Sequence, residues 1–201
     1  PGFTVLHPRR QTRGMNLGEL ASSIFETAES LGVPHMAVGA IAAGTYGIPR
    51  ATKDIDLLVS IDLKNGIHQL IAGLSEIIEF ESQCQFDTIT WGRRYVGVSR
   101  NSPPYKVELF EMFEDDFVKS EFSRRQHRFV PLLNREIWLP TAEDVIVQKI
   151  RWGRSKDLDD ARDVLAVQGP ATLDMAYVEN WCATHGTTAR LVEILASIPP
   201  M

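Results

Sequence analysis

Leu17, Leu20, Ala21, Ile24, Phe25, Ala28 and Leu31 recur every three or four residues, which predicts an amphipathic helix that ends near Gly32. Asn16, with Glu19 three residues on, supplies a capping box for its start. The run PHMAVGA then predicts a short buried strand leading into Gly39, and AIAAGTY a small-residue helix stopped by Gly47 and Pro49. After DIDLLVS, which reads as a strand, a helix is expected over about residues 65–79, followed by strands near 85–90, 94–99 and 105–110. A helix around 114–120 and a two-stranded piece at HRFVPL and REIWLP come next. Beyond Pro140 only helical periodicity remains, over about 141–152, 157–167, 173–184 and 187–197. The pattern predicts an α+β fold: a tail over 1–15, a mixed sheet flanked by helices over 16–139, and a helical C-terminal part over 140–201.

One segment breaks the hydrophobic logic. In ATKDIDLLVS a period of two places Asp54 and Asp56 on one face of a strand otherwise filled with Ile, Leu, Leu and Val. Two like charges side by side raise each other's pKa unless a cation lies between them, and an all-oxygen pair suits Mg²⁺ or Mn²⁺. Upstream, Gly39 and Ala40 stand where a strand becomes a helix, leaving free backbone N–H groups and a positive helix end as a place for phosphate. GAIAAGTY has the glycine spacing of a P-loop but lacks its lysine, and no G-x-G-x-x-G is present. One short helix and a turn fit between Ala40 and Asp54, so the phosphate site and the acids become neighbours. In YKVELFEMF, Val107 and Leu109 face one way, so Glu108 faces the other with Lys106 and Phe110 and supplies a third acid.

Composition narrows the classes. The chain has 201 residues, 44% hydrophobic and 23% charged, as in an ordinary globular protein. No apolar run reaches the roughly 18 residues of a membrane span. PGFTVLHPRRQTRG lacks the apolar centre of a secretory leader and reads as a tail or processed end, with Met15 an alternative start. Cys84 and Cys182 stand alone, which indicates neither a disulfide framework nor a zinc site and makes the cytoplasm the expected compartment. A net charge of −5 argues against a generally basic nucleic-acid binder, although Arg93–Arg94, Arg124–Arg125 with Arg128, and the stretch from Lys149 to Lys156 are locally basic. His35, His68, His127 and His185 and the acidic EMFEDDF suggest nothing specific.

Together, VGA, KDIDLL and VEL resemble the G-[GS], [DE]-h-[DE]-h and h-[DE]-h signature of the DNA polymerase β-like nucleotidyltransferase superfamily. VGAIAAGTYGIPRATKDIDLLVS and the later TAEDVIVQKIRWGRSKDLDDARDVL are similar to the small prokaryotic members that include the toxin of type IV abortive-infection toxin–antitoxin systems. The resemblance spans roughly Val33 to Leu165 and implies a nucleotidyltransferase of the EC 2.7.7 type. By it, Asp54, Asp56 and Glu108 are catalytic and metal-binding, and Gly39, Ala40, Arg50, Thr52, Lys149, Lys156 and Asp157 bind nucleotide. It implies Mg²⁺ or Mn²⁺ as cofactor, a nucleoside triphosphate as substrate, a tRNA or protein hydroxyl as acceptor, and a cognate antitoxin as partner. Related members modify small antibiotics instead. Ala40 replaces the usual second glycine or serine, leaving only its backbone N–H for phosphate.

On their own chemistry the basic residues stay open. Thr141 and Asp144 form a second capping box, and Lys149 lies beside the apolar stripe of that helix, where it must snorkel or meet an anion. Lys53 points away by strand alternation, whereas Arg50 flanks the acids. Asp157 and Asp160 have the spacing of a helix cap and its partner, and Lys156 and Arg162 fit ordinary salt bridges in KDLDDARD. Besides the enzyme, two other readings fit parts of the pattern. One is a decayed nucleotide- or partner-binding module of the same fold, with Ala40 its first sign. The other is a glycosyltransferase, whose Asp-x-Asp would follow an apolar strand rather than precede one.

Overall fold

A computed structural model describes residues 14–86, 92–100 and 104–198. The first helix, α1 (Leu17–Ser30), has both halves of its capping box: Asn16 accepts from the Glu19 N–H and Glu19 accepts from the Asn16 N–H. Leu20, Ala21, Ile24, Phe25 and Ala28 of its apolar stripe are buried. Strand β1 (His35–Ala37) follows, then α2 (Gly39–Tyr46) and β2 (Asp54–Val59). Next come α3 (Gly66–Gly73), β3 (Ile78–Phe80), β4 (Gln85–Phe86), β5 (Arg93–Ser99) and β6 (Lys106–Glu111). After α4 (Asp116–Ser123) the chain forms a separate antiparallel hairpin, β7 (Gln126–Val130) with β8 (Arg135–Leu139). Four helices complete it: α5 (Ala142–Trp152), α6 (Ser155–Gln168), α7 (Met175–Thr184) and α8 (Thr188–Ser197).

The main sheet runs β1-β2-β6-β5-β3, with β4 also on β5. Among the described residues only β2 and β6 are parallel; every other pair is antiparallel. The architecture is therefore the mixed α+β fold that the sequence predicts. Its core is continuous from α1 to α8: Ile24, Leu57, Leu109, Ile146 and Val164 are all inaccessible to solvent. The Tyr46 hydroxyl donates to the Pro140 carbonyl at 2.7 Å, and Gln168 donates to the Tyr46 carbonyl at 2.6 Å, so α2 is tied to the helical C-terminal part.

Three expected elements differ. The helix expected over 65–79 stops at Gly73, because the chain there closes against α1, where a Cβ on Gly73 would lie 2.9 Å from the Thr27 methyl group. The freed residues form β3, whose Ile78 buries itself while pairing with Ser99 of β5. The helix expected over 114–120 begins at Asp116, since Asp115 is its N-cap and accepts from the Val118 N–H at 2.9 Å. Of the strand expected near 85–90, Gln85 and Phe86 are paired and the remainder lies outside the described residues.

Candidate active site

Strand alternation and one register bring the three acids together. Thr52 braces the start of β2, its hydroxyl accepting from the Asp54 N–H at 3.1 Å. The parallel pairing of β2 with β6 then sets Asp54 opposite Lys106 and Asp56 opposite Glu108. Ile55 and Leu57 point to the opposite face and are fully buried. Leu58 and Phe110, the next pair along, continue the carboxylate face as an apolar floor.

Gly39 completes this arrangement. The Val38 N–H donates to the Asp56 carbonyl at 2.9 Å, and Gly39 then turns the chain into α2 with φ +64°, a conformation that favours glycine. A Cβ at Gly39 would lie 2.0 Å from Asp56 Oδ2, so the carboxylate rests where any side chain would stand. Val38 caps α2 without a side-chain bond, leaving the first N–H groups, Ala40 among them, unused beside the acids.

The carboxylates differ in their partners. Glu108 is paired with Lys106 at 3.0 Å and Arg94 at 3.1 Å. Asp56 is only partly covered as a residue, yet its Oδ1 is shut off from solvent and has no hydrogen-bond partner. Burial, with Glu108 and Asp54 adding repulsion, pushes its pKa up to about 7 against the opposing pull of Lys149 and Lys106. Among the described residues no three His, Cys, Asp or Glu side chains stand as a ready cation cage, because Glu108 is turned to its two cations. Asp54 and Asp56 nevertheless fit a hard divalent cation. They offer only oxygen, and positive charge would answer the unpartnered Oδ1 and reverse the upward shift.

Lys149 occupies a second cluster nearby. Its ammonium donates to Asp157 at 3.1 Å and Asp160 at 2.7 Å, and all three are buried. Arg50 grips Asp160 with two bonds of 2.9 and 3.3 Å, and Arg154 pairs with Asp157. Burial would raise the Asp160 carboxyl, but Arg50 and Lys149 together hold it below the usual range. The expectation that Asp157 and Asp160 cap a helix is corrected here: Arg154 occupies the N-cap of α6, and both aspartates turn inward because a buried ammonium needs them. Lys156, on the first turn of α6, is exposed and outside this cluster, and Lys53 is exposed as alternation predicts.

A cleft opens between the acids' face and helices α4 and α5. It is bounded by Gly39, the Leu58–Phe110 floor, Val118, and the α5 stripe of Gln148, Lys149 and Trp152. Glu121 of α4 also lines it, with only 3% of its surface exposed and no hydrogen bond or ion pair among the described residues. Burial, with Asp144 adding to it, raises its carboxyl well above the usual range despite Arg151. Gln148 Oε1 and Trp152 Nε1 are likewise buried without partners. Sequence reasoning missed these three, although the signal existed. Glu121 shares the helical stripe of Phe117, Val118 and Phe122, and Gln148 shares that of Val145, Lys149 and Trp152, so each is a polar residue on a face meant for the core.

The basic groups are largely spent internally. Arg124 pairs with Asp144 at 3.3 Å and sits over the Tyr177 ring, and Arg151 pairs with Asp115 at 2.7 Å. Arg125 lies over the Phe122 ring.

No protein-family model matches the chain, and no curated protein matches it in sequence. Solved structures do match in shape. The antibiotic-resistance factor ANT(2″)-Ia in complex with adenylyl-2″-tobramycin aligns with a TM-score of 0.60 at 13% identity, over 86% of this chain and 98% of that one. Its solution structure gives 0.56 at 12% identity, over 88% and 94%. A protein of H. pylori assigned as a nucleotidyltransferase gives 0.51 at 16% identity, over 88% and 78%. The chain thus has the fold of these nucleotidyltransferases. Among the described residues no helix is long and apolar enough to cross a membrane.

Proposed function

We propose that the protein is a nucleotidyltransferase that moves a nucleoside monophosphate from a nucleoside triphosphate to a hydroxyl acceptor. The observation that carries this reading is the carboxylate of Asp56, whose Oδ2 rests against Gly39 while its Oδ1 is shut off from solvent without a hydrogen-bond partner. An isolated buried carboxylate is costly and serves no structural end, and the same carboxylate beside a phosphate cradle is what metal-assisted phosphoryl transfer requires.

Asp54 and Asp56 would hold the divalent cation, Mg²⁺ or Mn²⁺, which when bound offsets charge on the phosphate oxygens. The N–H groups at Gly39 and Ala40 hold the phosphates. Glu108, fixed on the same face by Arg94 and Lys106, takes the proton of the acceptor hydroxyl. The hydroxyl oxygen bonds to the α-phosphorus, the bond from that phosphorus to the bridging oxygen breaks, and pyrophosphate leaves with the electron pair. Arg50 and Lys149 act through the neighbouring ion cluster, which fixes α6 beside α2, and Thr52 holds the start of β2. Lys156 and Asp157 follow the same helix; Asp157 supports Lys149, and Lys156 is free to reach a phosphate from the surface.

The paired state of Arg124, Lys149, Arg151 and Arg154 supports a small-molecule or protein hydroxyl over tRNA, whose backbone would need unspent cations. The adenylyl-2″-tobramycin in complex with the structural neighbour ANT(2″)-Ia agrees with the small-molecule option. Incubation with each α-labelled nucleoside triphosphate and Mg²⁺, against separate pools of metabolites, protein and total tRNA, tests the reading. Label should enter one pool with the native chain and none with Asp56→Asn. Equal labelling by both chains would overturn it.

A further inference from the structure

The cleft beside Gly39 holds more unsatisfied polarity than a folded core tolerates. Three side chains from two helices contribute: Glu121 of α4, and Gln148 and Trp152 of α5. Gln148 Oε1 and Trp152 Nε1 are each buried with no partner, and Glu121 has neither hydrogen bond nor ion pair among the described residues. Buried polar atoms are satisfied in the great majority of cases, and each exception costs about 1–3 kcal/mol. Two such exceptions and an unpaired carboxyl around one cleft are a pattern.

Their chemistry is complementary to a particular kind of ligand. The indole N–H can only donate and Gln148 Oε1 can only accept. Glu121, whose burial favours the protonated form, presents a donor and an acceptor side by side. Leu58, Phe110 and Val118 supply apolar surface around them, and the Trp152 ring meets the Phe110 ring at 6.1 Å between centroids. Flat apolar faces with a rim of mixed donors and acceptors suit a planar nitrogen heterocycle, and none of the three groups offers a net charge to an ionic ligand. At one end the cleft is bounded by Gly39, so it adjoins the α2 N–H groups that would hold a nucleotide's phosphates.

We propose that this cleft is the nucleobase pocket, and that Glu121, Gln148 and Trp152 read the polar edge of the base. The inference rests on the nucleotidyltransferase reading and extends it to what distinguishes one nucleoside triphosphate from another.

Calorimetric titration of the full chain with inorganic tripolyphosphate and with the α,β-methylene analogues of the four nucleoside triphosphates, all with Mg²⁺, tests it without turnover. The four analogues should differ in affinity, and the best should bind more tightly than tripolyphosphate. Trp152→Phe keeps the ring and deletes one donor, and Glu121→Ala deletes the carboxyl; each should weaken the best analogue about tenfold, the size of one good hydrogen bond, and narrow the spread among bases. Tripolyphosphate affinity should stay within about twofold in both variants, well inside the effect of one hydrogen bond. Unchanged analogue affinity, or an equal loss for tripolyphosphate, would overturn the pocket while leaving the nucleotidyltransferase reading intact. Failure of the native chain to bind tripolyphosphate or any analogue would overturn both.

Discussion

Two aspartate pairs in this molecule, one buried and one only partly covered, meet opposite fates. Asp157 and Asp160 are surrounded by Lys149, Arg50 and Arg154 at hydrogen-bonding distance, and their charges are answered in full. Asp54 and Asp56 share their face with a third acid, and the Arg94 and Lys106 side chains beside them pair with that acid instead. The first arrangement is finished by the chain itself. The second is left open for something the chain does not contain. A buried carboxylate is thus a functional signal only after its partners have been counted.

The largest expected effect separates the pairs by activity. Asp56→Asn should lower transfer roughly a thousandfold or more, because a positively charged partner loses its ligand, while leaving the melting temperature unchanged or higher. A variant that unfolds instead would place Asp56 with the finished pair. The reverse result is expected from Lys149→Met. It removes the cation shared by two buried carboxylates, each left with one arginine, and should destabilise the fold by about 2–3 kcal/mol in urea denaturation. A loss below about 1 kcal/mol would mean the cluster is solvated and the comparison fails.

How much of this could be read from the sequence depends on the range of the interaction. The two capping boxes, the alternation that turns Asp54, Asp56 and Glu108 away from the core residues of their own strands, and the strand–glycine–helix turn at Gly39 are all local, and each was legible. The neighbourhood of Asp56 and Glu108 was legible only through resemblance, since nothing in YKVELF says which strand it will pair with. The partners of Lys149 were not legible. Asp157 and Asp160 have the spacing of a cap, and only the packing of α5 against α6 turns them inward. Arg94, which grips Glu108, is likewise assigned by the β5–β6 register alone.

The two pairs should also bend the pH dependence of stability in opposite directions. The Asp56 pKa rises from 3.8 to about 7 on folding, so its contribution is fully present below pH 3.8 and is lost as pH climbs through 7. Glu121 has the same sign. Asp160, held low, contributes stability above the ordinary carboxylate range that is lost on acidification. In EDTA the unfolding free energy should therefore fall by about 2–4 kcal/mol between pH 5 and 8, with Mg²⁺ restoring part of it. Asp56→Asn should flatten that slope, and an unaltered slope would show that Asp56 ionises freely. The smallest effect is expected at Gly39→Ala, where the left-handed backbone and the displaced Asp56 carboxylate together should cost about 1–3 kcal/mol in thermal unfolding.

The parallel register of β2 with β6 has a further consequence. Since Asp56 and Glu108 meet through backbone pairing between two strands distant in sequence, the connection over residues 60–105 is a detour whose outer reaches do not set the spacing of the acids. Leu70, Leu74 and Ile78 root α3 and β3 in the core, but β4 lies off the main strand order, so that corner is open to lengthening or exchange, and the chemistry can be kept constant while a new recognition surface is installed beside it.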